Sequence, residues 1–358
     1  MTSATQDELK HPRSIAVVSG KGGAGKTLIT IGLAQLLASR IPPDLAPVVL
    51  ADGDPVTAGL SYALDRGTHS DTNGFLDFAR SVTAEEDMSA IWRLLRPLDD
   101  TDLARTRWAY LSVGLHESLI EEFTEDQLTQ LLGVMTKRLA ELGRWTLVDC
   151  RGGFDNDTLA ICRRVEEIIL VVEPDISSVQ SSRHLVDVLA RQQLLGKLGG
   201  FIVNKAFEDP TALARSTLFR SPCLATVPFD IETARRTLVG HLPNPESLFL
   251  NHLSSALGHF DRDLSTGSVY RLPMKQFSSN NLSPDLVRGE RVALFIYLII
   301  AISLVLRNAE PDEISSTAAL VSLAGSGAIL GSSHIRRLIG AQLAKIVSRS
   351  LQTRKHHE

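Results

Sequence analysis

The amino-acid sequence predicts an α/β fold in which a doubly wound, mostly parallel sheet is followed by an all-α segment at the C-terminus. The first observation behind this prediction is that short β-branched runs alternate with segments of helical periodicity up to about residue 257. Strands that are apolar throughout, with helices between them, are typical of a parallel sheet covered on both faces. The second is that the chain beyond this point becomes first polar and then strongly apolar, which indicates a separate region.

The order of these segments defines the predicted organisation. Apolar runs predict five strands, at residues 14–18, 48–51, 146–148, 167–172 and 200–203. Helical spacing predicts helices between most of them, such as those at 28–40, 125–142 and 178–193. We expect five parts: a flexible tail at 1–13, the sheet domain at 14–258, a linker at 259–290, an apolar helical hairpin at 291–334, and a basic amphipathic helix with a tail at 335–358.

Composition excludes several classes of protein. With 37 Lys and Arg against 41 Asp and Glu, the net charge of −4 argues against a surface that is basic all round and wraps nucleic acid. Cys150, Cys162 and Cys223 are widely spaced and odd in number, so neither a disulfide framework nor a zinc site is indicated. The polar first residues lack the apolar stretch of a secretory signal, and we expect a reducing, cytoplasmic environment.

The strongest motif follows the first predicted strand and opens a helix. Residues 20–27 fit the pattern G-x-x-x-x-G-K-[ST] of a phosphate-binding loop. Glycines let successive backbone N–H groups surround phosphate oxygens, Lys26 supplies a charge for the outer phosphates, and the Thr27 hydroxyl is a ligand for Mg²⁺. The candidate nucleotide-binding residues are Gly20, Gly22, Gly23, Ala24, Gly25, Lys26 and Thr27.

Two alternatives concern this loop. Gly20, Gly22 and Gly25 also satisfy the G-x-G-x-x-G pattern of dinucleotide-binding proteins, but that fold has no use for the Lys26–Thr27 pair. Lys21 is a second lysine at the start of the loop, where it cannot easily share the phosphates that Lys26 holds. It is either a functional cation or a solvated loop lysine.

The run K-G-G-A-G-K-T at residues 21–27 resembles the deviant Walker A motif of the ParA/MinD family of P-loop ATPases, which includes the CpaE/TadZ branch. The resemblance implies binding of ATP and Mg²⁺, ATPase activity that is slow and stimulated by a partner protein, and ATP-dependent homodimerisation. It also implies that Lys21 reaches across the dimer interface to the partner's nucleotide. Lys21, Lys26 and Asp54 are the catalytic residues that it implies.

Two further segments resemble the family's metal and water sites. Asp52-Gly53-Asp54-Pro55 is similar to a D-x-D-P switch, in which Asp54 would orient the attacking water and Asp52 would help to hold the magnesium shell. Asp149 ends a strand that resembles Walker B, so the implied Mg²⁺ residues are Thr27, Asp52 and Asp149. After Asp149 the family usually carries prolines, whereas this chain has Cys150-Arg151-Gly152-Gly153, which puts the hydrolysis rate in question.

Three weaker matches follow in the family's order, so that the resemblance covers residues 14–257. Glu173-Pro174-Asp175 resembles a loop of MinD- and CpaE-like proteins. Asn204 matches the asparagine that reads adenine, and Pro228 lies in a loop resembling one that packs near the base. No G-x-S-x-G, H-E-x-x-H or C-x-x-C motif indicates a competing chemistry.

The C-terminal region has two features with open interpretations. Residues 292–306 are uncharged and would form a helix of about 22 Å, short of the hydrocarbon thickness of about 30 Å, and residues 314–333 are a second uncharged stretch. They form either a membrane hairpin with both ends in the cytoplasm or a soluble helical subdomain. Residues 335–351 have an apolar face and a basic face, which suits anionic lipid, docking on the ATPase domain or a DNA-contacting tail.

These features favour an ATPase held at the cytoplasmic side of a membrane, where it positions or assembles a membrane-associated machine. Two alternatives stay open. One is a DNA-partitioning ATPase that binds nonspecific DNA, and the other is a scaffold that binds nucleotide with little turnover.

Overall fold

The computed structural model describes residues 13–42, 45–65, 74–83, 88–98, 105–113, 123–206, 211–238, 241–260, 269 and 272. The predicted hairpin at 291–334 and the basic helix at 335–358 lie outside these residues. So do most of the predicted linker and all of the predicted tail except Arg13.

The described residues form one eight-stranded sheet with helices on its faces. The strands are β1 (Arg13–Ser19), β2 (Val48–Gly53), β3 (Arg96–Pro97), β4 (Trp108–Leu111), β5 (Trp145–Gly152), β6 (Glu167–Val172), β7 (Leu198–Ala206) and β8 (Cys223–Pro228). Their order across the sheet is β3-β4-β2-β5-β1-β6-β7-β8. All neighbouring pairs are parallel except the short β3, which is antiparallel to β4, so the predicted doubly wound sheet is confirmed.

Helices connect the parallel strands. They are α1 (Lys26–Arg40), α2 (Gly59–Asp65), α3 (Phe75–Thr83), α4 (Met88–Arg93), α5 (Glu125–Leu142), α6 (Asn156–Arg164), α7 (Ile176–Arg191), α8 (Thr211–Ala214), α9 (Ile231–Leu238), α10 (Leu248–Leu253) and α11 (Leu257–Phe260), with 3₁₀ turns at Leu195–Lys197 and Ser254–Ala256. The predicted helix at 125–142 has these bounds, since Thr124 and Gln127 form a reciprocal capping box at its start.

The sheet is apolar on both faces, which explains why its strands lack an alternating polar pattern. Along β1, Ala16 and Val18 belong to the core beneath α5, α6 and α7, whereas Ile15 and Val17 belong to the core beneath α1 and α10. All four side chains are fully buried. A strand covered on both sides is apolar at every position, so β1 is held rigidly at the centre of the sheet.

The order of the strands places the start of α1 at a crevice. β1 lies between β5 and β6. From β1 the chain continues to β2 on one side, whereas from β6 it continues to β7 and β8 on the other side. At such a switch point the loops after the strands separate and leave a binding crevice at the carboxyl edge. The glycine-rich loop at residues 20–25, between β1 and α1, lies at this edge.

Candidate nucleotide-binding site

The glycine-rich loop has a backbone that only glycine adopts readily. Gly23 and Gly25 have φ angles of 82° and 85°, in the left-handed region. Gly20 lies directly against α7, because a Cβ at this position would come within 2.2 Å of the Ser181 carbonyl carbon. A Cβ at Gly22, by contrast, would meet nothing within 4 Å. The loop is therefore packed on one side and open on the other.

The chain that follows β5 is bonded to this loop through the backbone. The Gly153 N–H donates to the Ser19 carbonyl at 3.0 Å, and the Ser19 hydroxyl donates to the Lys21 carbonyl at 2.6 Å. Gly152 approaches so closely that a Cβ there would lie 2.7 Å from the Gly22 Cα. A change in the backbone path of either segment would therefore displace the other.

A hydroxyl and a carboxylate meet at the first turn of α1. The Thr27 Oγ1 donates to Asp149 Oδ2 at 2.6 Å, and the Thr30 Oγ1 lies 3.4 Å from Asp149 Oδ1. Lys26 is 8% exposed, and its charge favours the ionised form of Asp149. The sequence analysis predicted Lys26, Thr27 and Asp149 as site residues, and the fold brings these three together.

Asp52 lies beside Asp149 on the neighbouring strand, where the two residues are paired in register. One Asp52 oxygen accepts from both the N–H and the hydroxyl of Ser61 at 2.8 Å, and the other accepts from the Asp54 N–H at 3.1 Å. Burial, and then the charge of Asp149, raise the pKa of Asp52 to about 7. Burial raises the pKa of Asp149 to about 6, although the Thr27 hydroxyl acts in the opposite direction.

This set of donors suits a magnesium ion that is bound together with phosphates. Two buried carboxylates and a hydroxyl offer the oxygen ligands that Mg²⁺ prefers. Burial raises the pKa of both carboxyl groups despite the charge of Lys26 near Asp149, so a bound cation would favour their ionised forms. Among the described residues no group of three or more His, Cys, Asp or Glu side chains could hold a metal ion by itself. Mg²⁺ commonly uses one or two protein carboxylates plus substrate phosphates rather than a complete protein cage, and the residues present fit that mode.

Asp54 is engaged by its own loop. It is 8% exposed, and one oxygen accepts from the N–H groups of Val56 and Thr57 at 3.2 and 2.9 Å. The other oxygen accepts from the Thr57 hydroxyl. Both oxygens therefore stabilise the turn after β2.

Asn204 and Lys205, at the end of β7, touch the glycine-rich loop. The Asn204 Nδ2 donates to the Ala24 carbonyl at 2.9 Å, and Lys205 Nζ donates to the Gly23 carbonyl at 2.6 Å. A Cβ at Gly25 would lie 2.2 Å from Asn204 Nδ2. Asn204 thus lies against the glycine-rich loop, and its contact with adenine stays a prediction.

Lys21 points to acidic side chains of its own chain. Its Nζ lies 2.9 Å from Asp175 Oδ2 and 3.1 Å from Glu173 Oε2. These hydrogen bonds, first to Asp175 and then to Glu173, raise the pKa of Lys21. Lys21 is thus ion-paired within its own chain, and both interpretations of this lysine from the sequence stay predictions.

Pro228 ends β8, and the residues after it join two helices. Asp230 accepts from the N–H and hydroxyl of Thr233 at 3.1 and 2.8 Å, and from the Phe249 N–H at 3.1 Å. Burial alone would raise the pKa of Asp230, but these hydrogen bonds lower it on balance. One carboxylate thereby fixes the starts of α9 and α10 beside the end of β8.

The segment that departs from the family's prolines contains a buried thiol, Cys150, and a partly exposed arginine, Arg151. Cys150 is 2% exposed, and burial raises the pKa of its thiol well above the ordinary value, which disfavours the reactive thiolate. Arg151 lies 3.7 Å from Asp155, the N-cap of α6.

Sequence reasoning missed several contacts of this site. Ser61 and Lys205 had no assigned partner, and no pattern in the sequence connects them to Asp52 or to the Gly23 carbonyl. Thr30 could have been found, because it lies three residues after Thr27 and therefore on the same side of α1.

The fold and the loop define a P-loop nucleotide-binding protein. The family model described as "CobQ/CobB/MinD/ParA nucleotide binding domain" matches residues 15–243. The chain belongs to this family of nucleotide-binding ATPases.

Similar proteins include an uncharacterized ATP-binding protein of Methanocaldococcus jannaschii, 25% identical over 246 residues that cover 63% of this chain and 78% of that protein. The cell division ATPase MinD of Pyrococcus furiosus is 23% identical with a TM-score of 0.53, over 70% of this chain and 99% of that one. The septum site-determining protein MinD of Pyrococcus horikoshii, solved with Mg-ADP, is 23% identical with a TM-score of 0.52, over 70% and 96%. A ParA family ATPase of Chlorobium tepidum is 16% identical with a TM-score of 0.56, over 70% and 99%. The three solved structures share the fold of this chain.

Within the residues that the structure describes, no helix combines the length and the apolar character needed to cross a membrane.

Proposed function

We propose that this protein is an ATP-binding, slowly ATP-hydrolysing switch, which pairs with a second copy around nucleotide and positions or assembles a machine at the cytoplasmic face of a membrane. The observation that supports it best is the meeting of Lys26, Thr27 and Asp149 at the start of α1, directly after the glycine-rich loop. A buried cation, a hydroxyl and a carboxylate in this arrangement suit a nucleoside triphosphate with its metal.

Each predicted residue has a role in this proposal. The backbone N–H groups of residues 20–25 and the Lys26 ammonium bind the phosphates, and Asn204 and Pro228 face the base. Thr27, Asp52 and Asp149 hold Mg²⁺, which supplies positive charge that offsets the charge of the phosphates. Asp54 orients the attacking water, and Lys21 reaches the partner's nucleotide.

The engagement of Asp54 explains why we expect hydrolysis to be slow. Asp54 already accepts three hydrogen bonds from Val56 and Thr57, which leaves little acceptor capacity for the attacking water, and a rearranged turn would free more of it. A partner protein that stabilises the rearranged turn would accelerate the reaction, since a residue contributes to catalysis only within hydrogen-bond reach of the reacting water.

The membrane part of the proposal is based on the apolar and basic segments of the C-terminal region, which lie outside the described residues. Two uncharged stretches with arginines on their outer flanks and acidic residues between them are followed by a basic amphipathic stretch, which combines two kinds of membrane attachment.

Nucleotide binding and phosphate release, measured on the same protein, test the ATPase. We expect Asp54→Ala to bind ATP while its phosphate release falls about 100-fold or more, and Lys26→Ala to lose ATP binding. Asp187→Asn, an exposed change on α7, is the control that should match the unaltered chain. Equal near-zero rates for Asp54→Ala and the unaltered chain, with ATP still bound, would instead identify a nucleotide-binding scaffold.

Fractionation of cells tests the membrane assignment. We expect the full chain in the membrane pellet and a truncation ending at Ser283 in the supernatant, and a carbonate wash distinguishes integral from peripheral attachment. A soluble full chain that binds nonspecific DNA in an ATP-dependent and salt-sensitive manner would favour a DNA-partitioning ATPase.

A further inference from the structure

Two acidic residues beside the glycine-rich loop form ion pairs with two lysines. Asp175 and Glu173 both contact Lys21 Nζ, at 2.9 and 3.1 Å. The second oxygen of Glu173 lies 2.6 Å from Lys205 Nζ, which also donates to the Gly23 carbonyl. We call Glu173 and Asp175 the acidic latch.

The fold holds the acidic latch in place independently of Lys21. Asp175 is the N-cap of α7, and its Oδ1 accepts from the Ser178 N–H at 2.9 Å, which leaves Oδ2 for Lys21. The Glu173 N–H donates to the Ser178 hydroxyl at 2.9 Å. Because a helix start fixes both acids, they form a ready-made site for an ammonium group.

We propose that the acidic latch stores the Lys21 ammonium in its own protomer and so sets the concentration at which two copies pair. This inference rests on the ATP-dependent pairing proposed above. Both carboxylates hold Lys21 Nζ within its own protomer. In this proposal, reaching a neighbour's nucleotide draws Lys21 away from them, so that pairing breaks both contacts in each protomer. Glu173 and Asp175 are therefore positioning residues that oppose pairing, and they act through Lys21 rather than on the nucleotide.

The size of the effect follows from the exposure of the ion pairs. The Lys21 side chain is 30% exposed and that of Asp175 is 46% exposed. Partly exposed pairs of this kind change an equilibrium by at most about fivefold. Since each of two protomers releases Lys21, removal of the Asp175 charge should lower the dimer dissociation constant by up to about 25-fold.

The experiment uses the full chain carrying Asp54→Ala, so that bound ATP persists. Sedimentation velocity over a series of protein concentrations, with ATP and Mg²⁺, gives the dimer dissociation constant with and without Asp175→Asn or Glu173→Gln. Asn is as good an N-cap as Asp, so Asp175→Asn retains the start of α7. Asp187→Asn is the matched control, because Asp187 is on the same helix, is 47% exposed and lies 3.7 Å from Arg220.

We expect both latch variants to pair at lower concentration and Asp187→Asn to leave the constant unchanged. Pairing that is unaffected or weakened by both latch variants overturns the inference and leaves the proposed function intact. If the Asp54→Ala background itself stays monomeric with ATP, the proposed pairing fails and the inference fails with it.

Discussion

Replacing Gly20 by alanine should destabilise the folded chain through a steric clash with α7. The new Cβ would lie 2.2 Å from the carbonyl carbon of Ser181 and 2.3 Å from the nitrogen of Ser182, whereas ordinary contacts begin at 3.4 Å. Both atoms belong to a helix backbone, which cannot rotate away as a side chain does. The helix or the loop must therefore move by about 1 Å, and overpacking of this kind typically costs about 1–3 kcal/mol.

Gly22→Ala provides the matched comparison within the same loop. A Cβ at Gly22 meets nothing within 4 Å, and its φ is not in the left-handed region. This change should be neutral or should stabilise the fold by about 0.4–1 kcal/mol, because alanine restricts the unfolded chain. We therefore expect Gly20→Ala to be less stable than Gly22→Ala by about 1–4 kcal/mol.

Urea unfolding of the full chain measures this difference. Tryptophan fluorescence is a suitable signal, since Trp108 and Trp145 are both buried in the sheet domain. Equal midpoints for the two variants would refute the packing of the loop against α7. A loss of ATP binding in a stably folded Gly22→Ala protein would show that the open side of the loop is the side that phosphate uses.

Three further predictions concern other parts of the sheet domain. Asp230→Ala should lower the free energy of unfolding by about 1–2 kcal/mol, measured in urea, because it removes a helix cap and leaves N–H groups unpaired. Without Mg²⁺ and nucleotide, the raised pKa values of Asp52 and Asp149 mean that the native state binds more protons, so the free energy of unfolding should fall as the pH rises from about 4 to about 7. Asp52→Asn should flatten that fall, and an unchanged profile would contradict the assignment. Thiol labelling should reach Cys150 and Cys162 only on unfolding, because both are buried and burial raises the pKa of Cys162 to about 12.

The fold was predictable wherever the local sequence has one consistent pattern. The five predicted strands are all present, and the predicted helices at 28–40 and 178–193 correspond to α1 and α7 with shifts of two residues. β3, β4 and β8 were not predicted. β3 and β4 have two and four residues, which are too few to show a period, and in β8 only Ala225 and Val227 are buried, so it lacks a continuous apolar run. β4 is nevertheless buried along its whole length. Its position in the sheet is set by its pairing with β2 and not by a pattern in its own sequence.

The residue types of the site could be predicted from the sequence, but the contacts between their side chains could not. Thr27 and Asp149 were assigned to the same metal from motifs more than 100 positions apart, and the parallel sheet brings them within hydrogen-bond distance. The partners of Lys21 could not be predicted, because Asp175 stands 154 positions away and is equally suited to be a helix cap without a lysine. An ion pair between residues far apart in the sequence depends on the relative positions of two loops in the fold, and no local sequence pattern specifies these.

The close approach of Gly152 to Gly22 restricts which residues could replace Gly152. Residues 151 and 152 stand where the family usually carries proline, so a consensus-based redesign would restore a ring at 152. The Cβ of that ring would come 2.7 Å from the Gly22 Cα, nearer than real side chains approach a backbone. A proline at position 152 would therefore require a different backbone path for the glycine-rich loop.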